Sequence, residues 1–383
     1  MLNFDLSEEQ NIIRQTIREF AEQEVKPVAR ELDEKEEFSV DLVRKMAGVG
    51  LFGCFVGEEY GGSNMGYVGY IIAVEELARV DGSTAATVAA GNSLGIGPIA
   101  YFGNEEQKRE WLPRLCRGEI LGSFGLTEPD AGSDAQSSRT TAVPQGDEWV
   151  INGSKIFITN ASNPLAGVTT VQAVTGTRPD GRRELSCFLV PARHPGFTAT
   201  PMHGKLMWRS SDTAELAFED CRVPARNLLG RRGEGFKQMM QVLDGGRLSI
   251  AAMGLGGAQG AYELALAYAQ QRRQFGQLIG KFQATQFKLA NMAMEIEAAR
   301  NLLYKACWLK EQHRPFGPLA AMAKLYCSEV MKRVVTEAVQ IHGGYGLMKE
   351  YHVERFFRDQ KLLEIGEGTS EVQRIVIARS LGL

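Results

Sequence analysis

The chain has 383 residues, of which 44% are apolar and 23% charged, and its net charge is −3. This length allows roughly two or three domains with a large core, and the near-neutral charge gives no reason to expect nucleic acid or an anionic membrane as a partner. Six scattered cysteines without a Cys-x-x-Cys pair argue against a disulfide framework or a structural zinc site, and predict buried free thiols.

The chain has no unbroken apolar run of the roughly 20 residues that a membrane span needs. Its start, Met1-Leu2-Asn3-Phe4-Asp5, has neither the basic segment of a signal peptide nor the Arg- and Ser-rich composition of a transit peptide. We therefore expect a cytoplasmic protein without a membrane span.

Residues 1–122 predict a helical domain. Ser7-Glu8-Glu9-Gln10 has the pattern of a capping box, in which the serine and glutamine side chains each accept a free backbone N–H of the first turn. Apolar residues at helical spacing follow it. Further helices are predicted over residues 41–49, 67–80 and 105–115.

Residues 123–230 predict a small antiparallel β domain, because short β-branched and aromatic runs alternate there with proline and glycine. Asn152-Gly153 separates Trp149-Val150-Ile151 from Ile156-Phe157-Ile158 and has the sequence of a two-residue hairpin turn. We therefore expect two strands that are joined at this turn.

Residues 231–383 predict a bundle of long helices. One helix face is indicated by apolar residues that step by three and four positions: Leu289, Met292, Ile296, Ala299 and Leu303. Such a stripe is typical of a bundle core.

Two glycine-rich segments of this bundle fail as nucleotide-binding motifs. Gly254-Leu255-Gly256-Gly257-Ala258-Gln259 ends in glutamine where G-x-G-x-x-G needs glycine, and no strand precedes it. Residues 276–282 are one residue short of a P-loop and have Phe282 where Ser or Thr must meet magnesium. The first segment instead predicts close helix packing, and the five histidines show no paired spacing for a metal site.

Glu367 lies between two glycines in a segment that leads into a helix. Gly366 and Gly368 leave the carboxylate open to the close approach of a ligand. Ser370-Glu371-Val372-Gln373 predicts a capping box, so the free N–H groups of a helix N-terminus should attract negative charge beside Glu367. A base beside an anion site suits proton abstraction next to a carbonyl. The alternative is a glutamate that only complements the helix dipole.

Two other segments allow both a structural and a ligand-binding interpretation. Residues 124–134 contain the turn Pro129-Asp130-Ala131-Gly132, which either clusters N–H and hydroxyl donors for a phosphate or polar ring, or is an ordinary surface turn. Arg272 lies at the predicted end of a long helix, where a cation suits the helix dipole with or without a phosphate ligand.

In combination these segments resemble the acyl-CoA dehydrogenase family, most of all its short-chain, butyryl-type members. The resemblance covers essentially the whole chain and keeps the order of the motifs. They are Leu126-Thr127-Glu128-Pro129-x-Ala131-Gly132-Ser133-Asp134, Arg273-Gln274-Phe275-Gly276 with Phe282-Gln283, Gln340-Ile341-His342-Gly343-Gly344, and Glu367-Gly368-Thr369-Ser370.

The resemblance implies a mainly α fold with a central antiparallel β domain, in the order helical N-domain, β-barrel middle domain and C-terminal helical bundle. It implies a homotetramer with FAD between the β domain and the bundle, and the adenine end of FAD met by a neighbouring subunit. It also implies an acyl-CoA substrate and an electron-transferring flavoprotein as electron acceptor.

The resemblance further assigns residues to each ligand. The FAD-binding residues are Phe124, Leu126, Thr127, Gly132, Ser133, Phe157, Thr159, Arg272, Phe275, Gln283, Gln340, Gly343, Gly344, Thr369 and Glu371. The acyl-CoA-binding residues are Ser133, Asp244, Arg247 and Gly368. Glu367 is then the base that removes the α-proton of the thioester while the β-hydride passes to the flavin, which yields the trans-2-enoyl-CoA. An apolar, water-excluding site should raise the pKa of this carboxyl toward the operating pH.

Three positions depart from the family pattern. Phe157 replaces a common tryptophan and lacks the indole N–H. Met207 replaces a usual glycine, and Gly366 replaces a tyrosine of many straight-chain enzymes, which should widen the pocket beside the base. A short or medium acyl group, straight, branched or alicyclic, agrees with these residues. Gly246 stands where isovaleryl-type enzymes carry their base, so Glu367 is the one base in a family position.

Two other functions stay open from the sequence. One is an acyl-CoA oxidase with the same fold, which passes electrons to oxygen and consumes oxygen when substrate is added. The other is a non-catalytic acyl-CoA- or flavin-binding protein, which purification without FAD would favour.

Overall fold

The computed structural model describes residues 5–383, so the first four residues of the predicted leaderless start lie outside the described part. In the N-terminal part, Ser7 Oγ accepts from the N–H of Gln10 at 3.1 Å and Gln10 Oε1 accepts from the N–H of Ser7 at 3.0 Å. This confirms the capping box at the start of the first helix.

The N-terminal helices agree with the three predicted ranges to within two residues at each end. They are α1 Glu8–Phe20, α2 Lys26–Lys35, α3 Val40–Gly48, α4 Gly66–Ala78, α5 Gly82–Ala90, α6 Gly97–Phe102 and α7 Glu105–Cys116. Short π-helical segments, Ala21–Val25 and Gly91–Ile96, join α1 to α2 and α5 to α6.

The middle of the chain forms one sheet in the order β6-β7-β3-β2-β4-β5-β8, with β1 paired to β4. Its strands are β1 Leu121–Gly125, β2 Thr141–Gln145, β3 Glu148–Thr159, β4 Ala166–Thr177, β5 Arg183–Pro191, β6 Phe197–Pro201, β7 Thr213–Pro224 and β8 Leu228–Leu229. Pairing is antiparallel except where β4 meets β1 and, at one residue pair, β2. Side chains from β2 to β7 share one core, so the sheet curves around it.

The predicted hairpin at Asn152-Gly153 is wrong. The strand β3 runs unbroken through both residues, and the turn lies before it at Gly146, where φ is +61°. Asn152 Oδ1 accepts from the backbone N–H of Asp220 on β7 at 2.8 Å, which ties it into the sheet. Gly153 lies at a bulge where a Cβ would be 2.6 Å from Thr140 Oγ1, so glycine is needed for close packing and not for a turn.

The C-terminal part is a bundle in which α8 and α10 are the central helices. Its elements are α8 Gly235–Ala269, the short strands β9 Arg273–Gln274 and β10 Gln277–Leu278, α9 Gln283–Glu311, α10 Gly317–His342, α11 Val353–Leu363 and α12 Ser370–Ser380. The predicted apolar stripe of α9 is buried.

The glycines of α8 allow the close packing that the sequence predicted. A Cβ at Gly256 would lie 2.1 Å from the carbonyl oxygen of Glu75 on α4, and one at Gly260 would lie 2.0 Å from the carbonyl oxygen of Arg79. All six cysteines are free and buried, as predicted. None of the helices in the described part of the chain has the length and apolar character that a bilayer crossing requires. The domain boundaries near residues 122 and 230 stay predictions.

Candidate active site

Glu367 lies in the connection between α11 and α12 and has a left-handed backbone with φ of +50°. Gly368 follows with φ of +90°, and the N–H of Ser370 donates to the carbonyl of Glu364 at 2.9 Å. A left-handed conformation at a residue other than glycine is uncommon and is concentrated at functional sites. The connection is therefore a tight, strained turn with Glu367 at its centre.

Helix α12 begins beside Glu367, but the predicted capping box at Ser370 does not form. Thr369 is the N-cap, and its hydroxyl accepts from the N–H of Val372 at 3.2 Å. The Gln373 amide donates instead to the carbonyls of Glu367 at 3.3 Å and Gly368 at 2.8 Å. Gln373 thus holds the strained turn and does not cap the helix.

The Glu367 carboxylate packs against the bare Cα of Gly246 on α8. A Cβ at residue 246 would lie 2.0 Å from Glu367 Oε2. This oxygen is buried and has no hydrogen-bond partner within residues 5–383, although the residue as a whole is half-buried. Burial raises the pKa of Glu367 to about 7, against the opposing charges of Lys324 and Arg247. A carboxylate with this pKa and a free oxygen is suited to accept a proton near neutral pH.

Backbone donors are available next to this carboxylate. The N–H groups of Glu367 and Gly368 donate to no acceptor within the described chain. Successive N–H groups in such a turn form a concave site that attracts negative charge. A carbonyl oxygen that gains charge during a reaction could therefore be stabilised here.

The two predicted substrate residues of α8 flank Gly246 in the chain. Arg247 is buried, and its Nη1 donates to Asp244 Oδ1. Burial raises the pKa of Asp244, and Arg247 opposes this shift. The carbonyl of Gly245 accepts the Tyr67 hydroxyl at 2.7 Å. Arg247 thus lies near enough for its charge to act on the Glu367 carboxylate, and Asp244 is joined to the site through Arg247.

The predicted flavin-ring residues lie on adjacent segments of the β domain: Phe124, Leu126, Thr127, Phe157 and Thr159. The N–H of Ile156 donates to the carbonyl of Thr127 at 2.9 Å, which brings the segment after β1 against β3. Phe157 has φ of +62° and is 63% exposed. An aromatic ring that is held exposed on strained backbone presents a flat face to a ligand.

Glu128 organises the turn that follows β1, a role that sequence reasoning missed. Its carboxylate accepts from Lys155 Nζ at 2.7 Å, from the N–H of Arg139 at 2.6 Å and from the N–H of Thr140 at 3.1 Å, and also from the Ser138 hydroxyl. Despite the opposing effect of burial, the Lys155 charge and these donors lower the pKa of Glu128 to about 2.

Three predicted FAD residues line one surface cavity of about 480 Å³: Arg272, Gly343 and Gly344. The Arg272 guanidinium lies 5.4 Å from the centroid of the Tyr345 ring. A cation beside exposed glycine backbone can bind phosphate or the edge of a polar ring.

The other predicted FAD residues are not brought into these groups. Thr369 and Glu371 lie at the start of α12, and five residues are exposed elsewhere in the described chain: Gly132, Ser133, Phe275, Gln283 and Gln340. Phe275 is 93% exposed, with its ring centroid 6.2 Å from that of Phe282.

Two lysines near the site, half-buried Lys310 and buried Lys324, were also missed. Lys310 Nζ lies 4.4 Å from the Tyr67 ring centroid and 4.7 Å from that of Phe316, and burial lowers its pKa to about 8. Lys324 Nζ donates to the carbonyl of Gly368 at 2.7 Å. Lys324 interrupts the buried face of α10, and a lysine in an apolar stripe is the signal that could have indicated it.

Three family models match the chain in order. Acyl-CoA dehydrogenase, N-terminal domain, matches residues 7–119; the middle domain matches 123–221; and the C-terminal domain matches 233–382. The chain belongs to the acyl-CoA dehydrogenase family. Enzymes of this family are FAD-dependent oxidoreductases, so this chain is one as well.

This acyl-CoA dehydrogenase is 53% identical over 380 residues to the probable acyl-CoA dehydrogenase YngJ of Bacillus subtilis, with 99% of this chain and 100% of the relative covered. The solved structure of butyryl-CoA dehydrogenase from Megasphaera elsdenii matches with 43% identity and a TM-score of 0.96 over 100% of both chains. A chain in a structure described as the electron transferring flavoprotein of Acidaminococcus fermentans matches with 46% identity and a TM-score of 0.96 over 99% of both chains. The predicted family and three-part fold are therefore confirmed.

FAD fits the residues that are present in this acyl-CoA dehydrogenase. The exposed face of Phe157 suits a flavin ring. The cavity of Arg272, Gly343 and Gly344 suits phosphate groups.

Gly246→Ala is expected to lower the dehydrogenation rate of this enzyme by about 100-fold, because the added methyl group displaces the Glu367 carboxylate and a 1 Å misplacement can cost that factor. The rate of flavin bleaching at saturating acyl-CoA measures the effect. Gly48→Ala on α3 is the matched control, since a Cβ there meets nothing within 4 Å. An unchanged rate for Gly246→Ala would show that the carboxylate needs no space at residue 246.

Proposed function

We propose that this enzyme oxidises a short- or medium-chain acyl-CoA to the trans-2-enoyl-CoA, with Glu367 as the base that removes the α-proton. The observation that carries this proposal is the buried, unpartnered Glu367 Oε2 against Gly246. Its pKa of about 7 gives a substantial carboxylate fraction at neutral pH, together with enough basicity to take a proton.

The chain's own groups account for the proton-transfer half of this reaction. In this proposal the free N–H groups of Glu367 and Gly368 donate to the thioester oxygen, which lowers the cost of negative charge on that oxygen. Arg247 and Asp244 orient the substrate on the α8 side. The glycine at 246 leaves the space in which the carboxylate meets the α-carbon. When bound, FAD supplies the acceptor for the β-hydride.

FAD would be held by two groups of residues, partly across a subunit boundary. Phe124, Leu126, Thr127, Phe157 and Thr159 would face the ring, while Arg272, Gly343, Gly344, Thr369 and Glu371 would bind the polar remainder. The exposed Gly132, Ser133, Phe275, Gln283 and Gln340 favour a site completed by another subunit, because Phe275 in particular needs a covering surface. We therefore propose a homotetramer.

The substrate and acceptor follow from similarity and from Gly366. The match to a butyryl-CoA dehydrogenase supports a short acyl group. Gly366, where many straight-chain enzymes have a tyrosine, supports a branched or alicyclic acyl group as well. The match to a chain in an electron transferring flavoprotein structure supports such a flavoprotein as the electron acceptor.

An anaerobic visible spectrum of the holoenzyme tests the reaction. We expect the bound flavin to bleach when one member of a panel of short straight, branched and cyclic acyl-CoAs is added. In a second step, an electron transferring flavoprotein should re-oxidise the reduced flavin faster than oxygen does. A flavin that no acyl-CoA bleaches would contradict the proposal. Rapid oxygen consumption would instead identify an oxidase.

The bleaching rate is expected to rise with pH through about 7 and then to level off, because only the ionised Glu367 accepts a proton. Well below that pH the rate should fall about tenfold per pH unit. The measurement is the bleaching rate between pH 5.5 and 8.5 with FAD content checked at each pH. A flat profile would argue against a base with this pKa.

A further inference from the structure

Three polar side chains of α10, each one turn from the next, bind the connection that carries Glu367. Lys324 Nζ donates to the carbonyl of Gly368 at 2.7 Å, and the Ser328 hydroxyl shares its proton between the carbonyls of Lys324 at 2.7 Å and Leu363 at 3.0 Å. Lys332 Nζ donates to the Glu364 carboxylate at 3.0 Å. Residues four apart share a helix face, so α10 holds both ends of the turn between α11 and α12.

Lys324 is the unusual member of this set. It is fully buried, and its one hydrogen-bond acceptor within residues 5–383 is the Gly368 carbonyl. A buried ammonium with a single neutral acceptor is costly, and an apolar side chain of similar length would fill the space without that cost. Burial lowers the pKa of Lys324 to about 8, against the raising effect of the Glu367 charge, so the ammonium is largely charged at neutral pH.

Few charged groups act on the Glu367 carboxylate. Lys324 on α10 and Arg247 on α8 are the two cations whose charges lower the pKa of Glu367. The Tyr67 and Tyr70 hydroxyls of α4 also lie near enough for the Glu367 charge to raise their pKa. Arg247 is already paired with Asp244. Lys324 makes no such ion pair within the described residues, although the charges of Glu364 and Glu371 also raise its pKa and the charge of Arg247 lowers it.

We propose that Lys324 is a positioning residue for the dehydrogenation, which places Glu367 through the Gly368 carbonyl and whose ammonium charge favours the carboxylate form of Glu367. This inference rests on the proposed role of Glu367. Gln373 donates to the same carbonyl at 2.8 Å, so loss of Lys324 leaves the turn attached but removes the charge.

The sign of the effect follows from the charge. A nearby cation favours the ionised form of a carboxyl, and an opposite charge at close range shifts a pKa by roughly 1–3 units. Without the Lys324 ammonium, Glu367 should titrate at least about one pH unit higher. At pH 7 a smaller fraction of the enzyme then carries the base, and the rate falls about fivefold or more.

The experiment compares holoenzymes with Lys324→Met, Lys324→Gln and Lys324→Arg. The protonated carboxyl band of Glu367 is titrated by infrared spectroscopy with Glu367→Gln as the blank, and the pH profiles of kcat and KM for acyl-CoA oxidation are recorded. We expect the Met and Gln variants to move both midpoints to higher pH with KM little changed, and Lys324→Arg to restore the wild-type midpoints. Lys305→Met, an exposed lysine of α9, is the matched control.

The infrared titration does not depend on turnover, so the inference and the proposed reaction can fail separately. An enzyme that oxidises no acyl-CoA, but whose Glu367 midpoint moves in Lys324→Gln, would retain the Lys324 inference. If the Glu367 midpoint stays at the wild-type pH in Lys324→Met and Lys324→Gln, or in whichever of the two folds, the Lys324 inference is overturned, even if the rate falls. Lys324→Gln keeps the test available if the methionine variant does not fold.

Discussion

Glu367→Gln is expected to retain bound FAD and acyl-CoA affinity and to lower the rate of flavin bleaching by about 10⁴-fold, the upper end of what general base catalysis contributes. The amide keeps the size of the carboxylate beside Gly246 but accepts no α-proton. Anaerobic rapid mixing of the holoenzyme with a short acyl-CoA measures the effect.

The control for this variant is Glu350→Gln, which removes an exposed carboxylate between α10 and α11. Its bleaching rate should equal that of the wild type. The pH dependence of any residual rate in Glu367→Gln should also lose the midpoint near 7, since the titrating group is gone. A wild-type rate in Glu367→Gln would exclude this residue as the base.

Glu128→Ala is expected to lower the free energy of unfolding by about 3–5 kcal/mol, the cost of removing one partner of a buried ion pair. Lys155 is 1% exposed and keeps only two weak acceptors at 3.3 Å, the Leu126 carbonyl and the Ser138 hydroxyl. The N–H groups of Arg139 and Thr140 also lose their acceptor. Chemical denaturation of the holoenzyme and its FAD content report the change.

Two further variants test the reason for this loss. Asp130→Ala removes an exposed partner of Arg139 from the same turn and should cost less than about 1 kcal/mol. Replacing Glu128 and Lys155 together by methionine should recover part of the loss, because no unpaired charge remains buried. A Glu128→Ala cost no larger than that of Asp130→Ala would contradict the assigned role of this pair.

The same pair gives a stability difference that depends on pH. The pKa of Glu128 is about 2 in the folded protein, against an ordinary value near 4.5. Its stabilisation is thus complete above about pH 4.5 and is lost as the pH falls toward 2. The difference between wild type and Glu128→Ala should shrink over that range.

A local sequence pattern predicted an element correctly where the residues that the pattern pairs also contact each other in the folded protein. The capping box at Ser7 and the stripe on α9 depend on residues within a few positions of each other, and both are confirmed. The hairpin at Asn152 and the cap at Ser370 have equally good local patterns. The hairpin is wrong because residues distant in the chain, Asp220 and Thr140, pack against Asn152 and Gly153 in the sheet. The cap at Ser370 is wrong because neighbouring groups compete for the same partners: Thr369 caps the helix, and Gln373 donates to the carbonyls of the turn.

By itself, the sequence determined the three-part order of helices, sheet and helices, the family, and Glu367 as a glutamate beside a helix N-terminus. These properties depend on the periodicity of apolar residues and on the order of the motifs, which are both features of the linear sequence. The tertiary structure alone decided what surrounds the carboxylate: the missing side chain at Gly246 and the charges of Lys324 and Arg247. Burial and charge act between atoms that folding brings together from different helices, so no local pattern contains them.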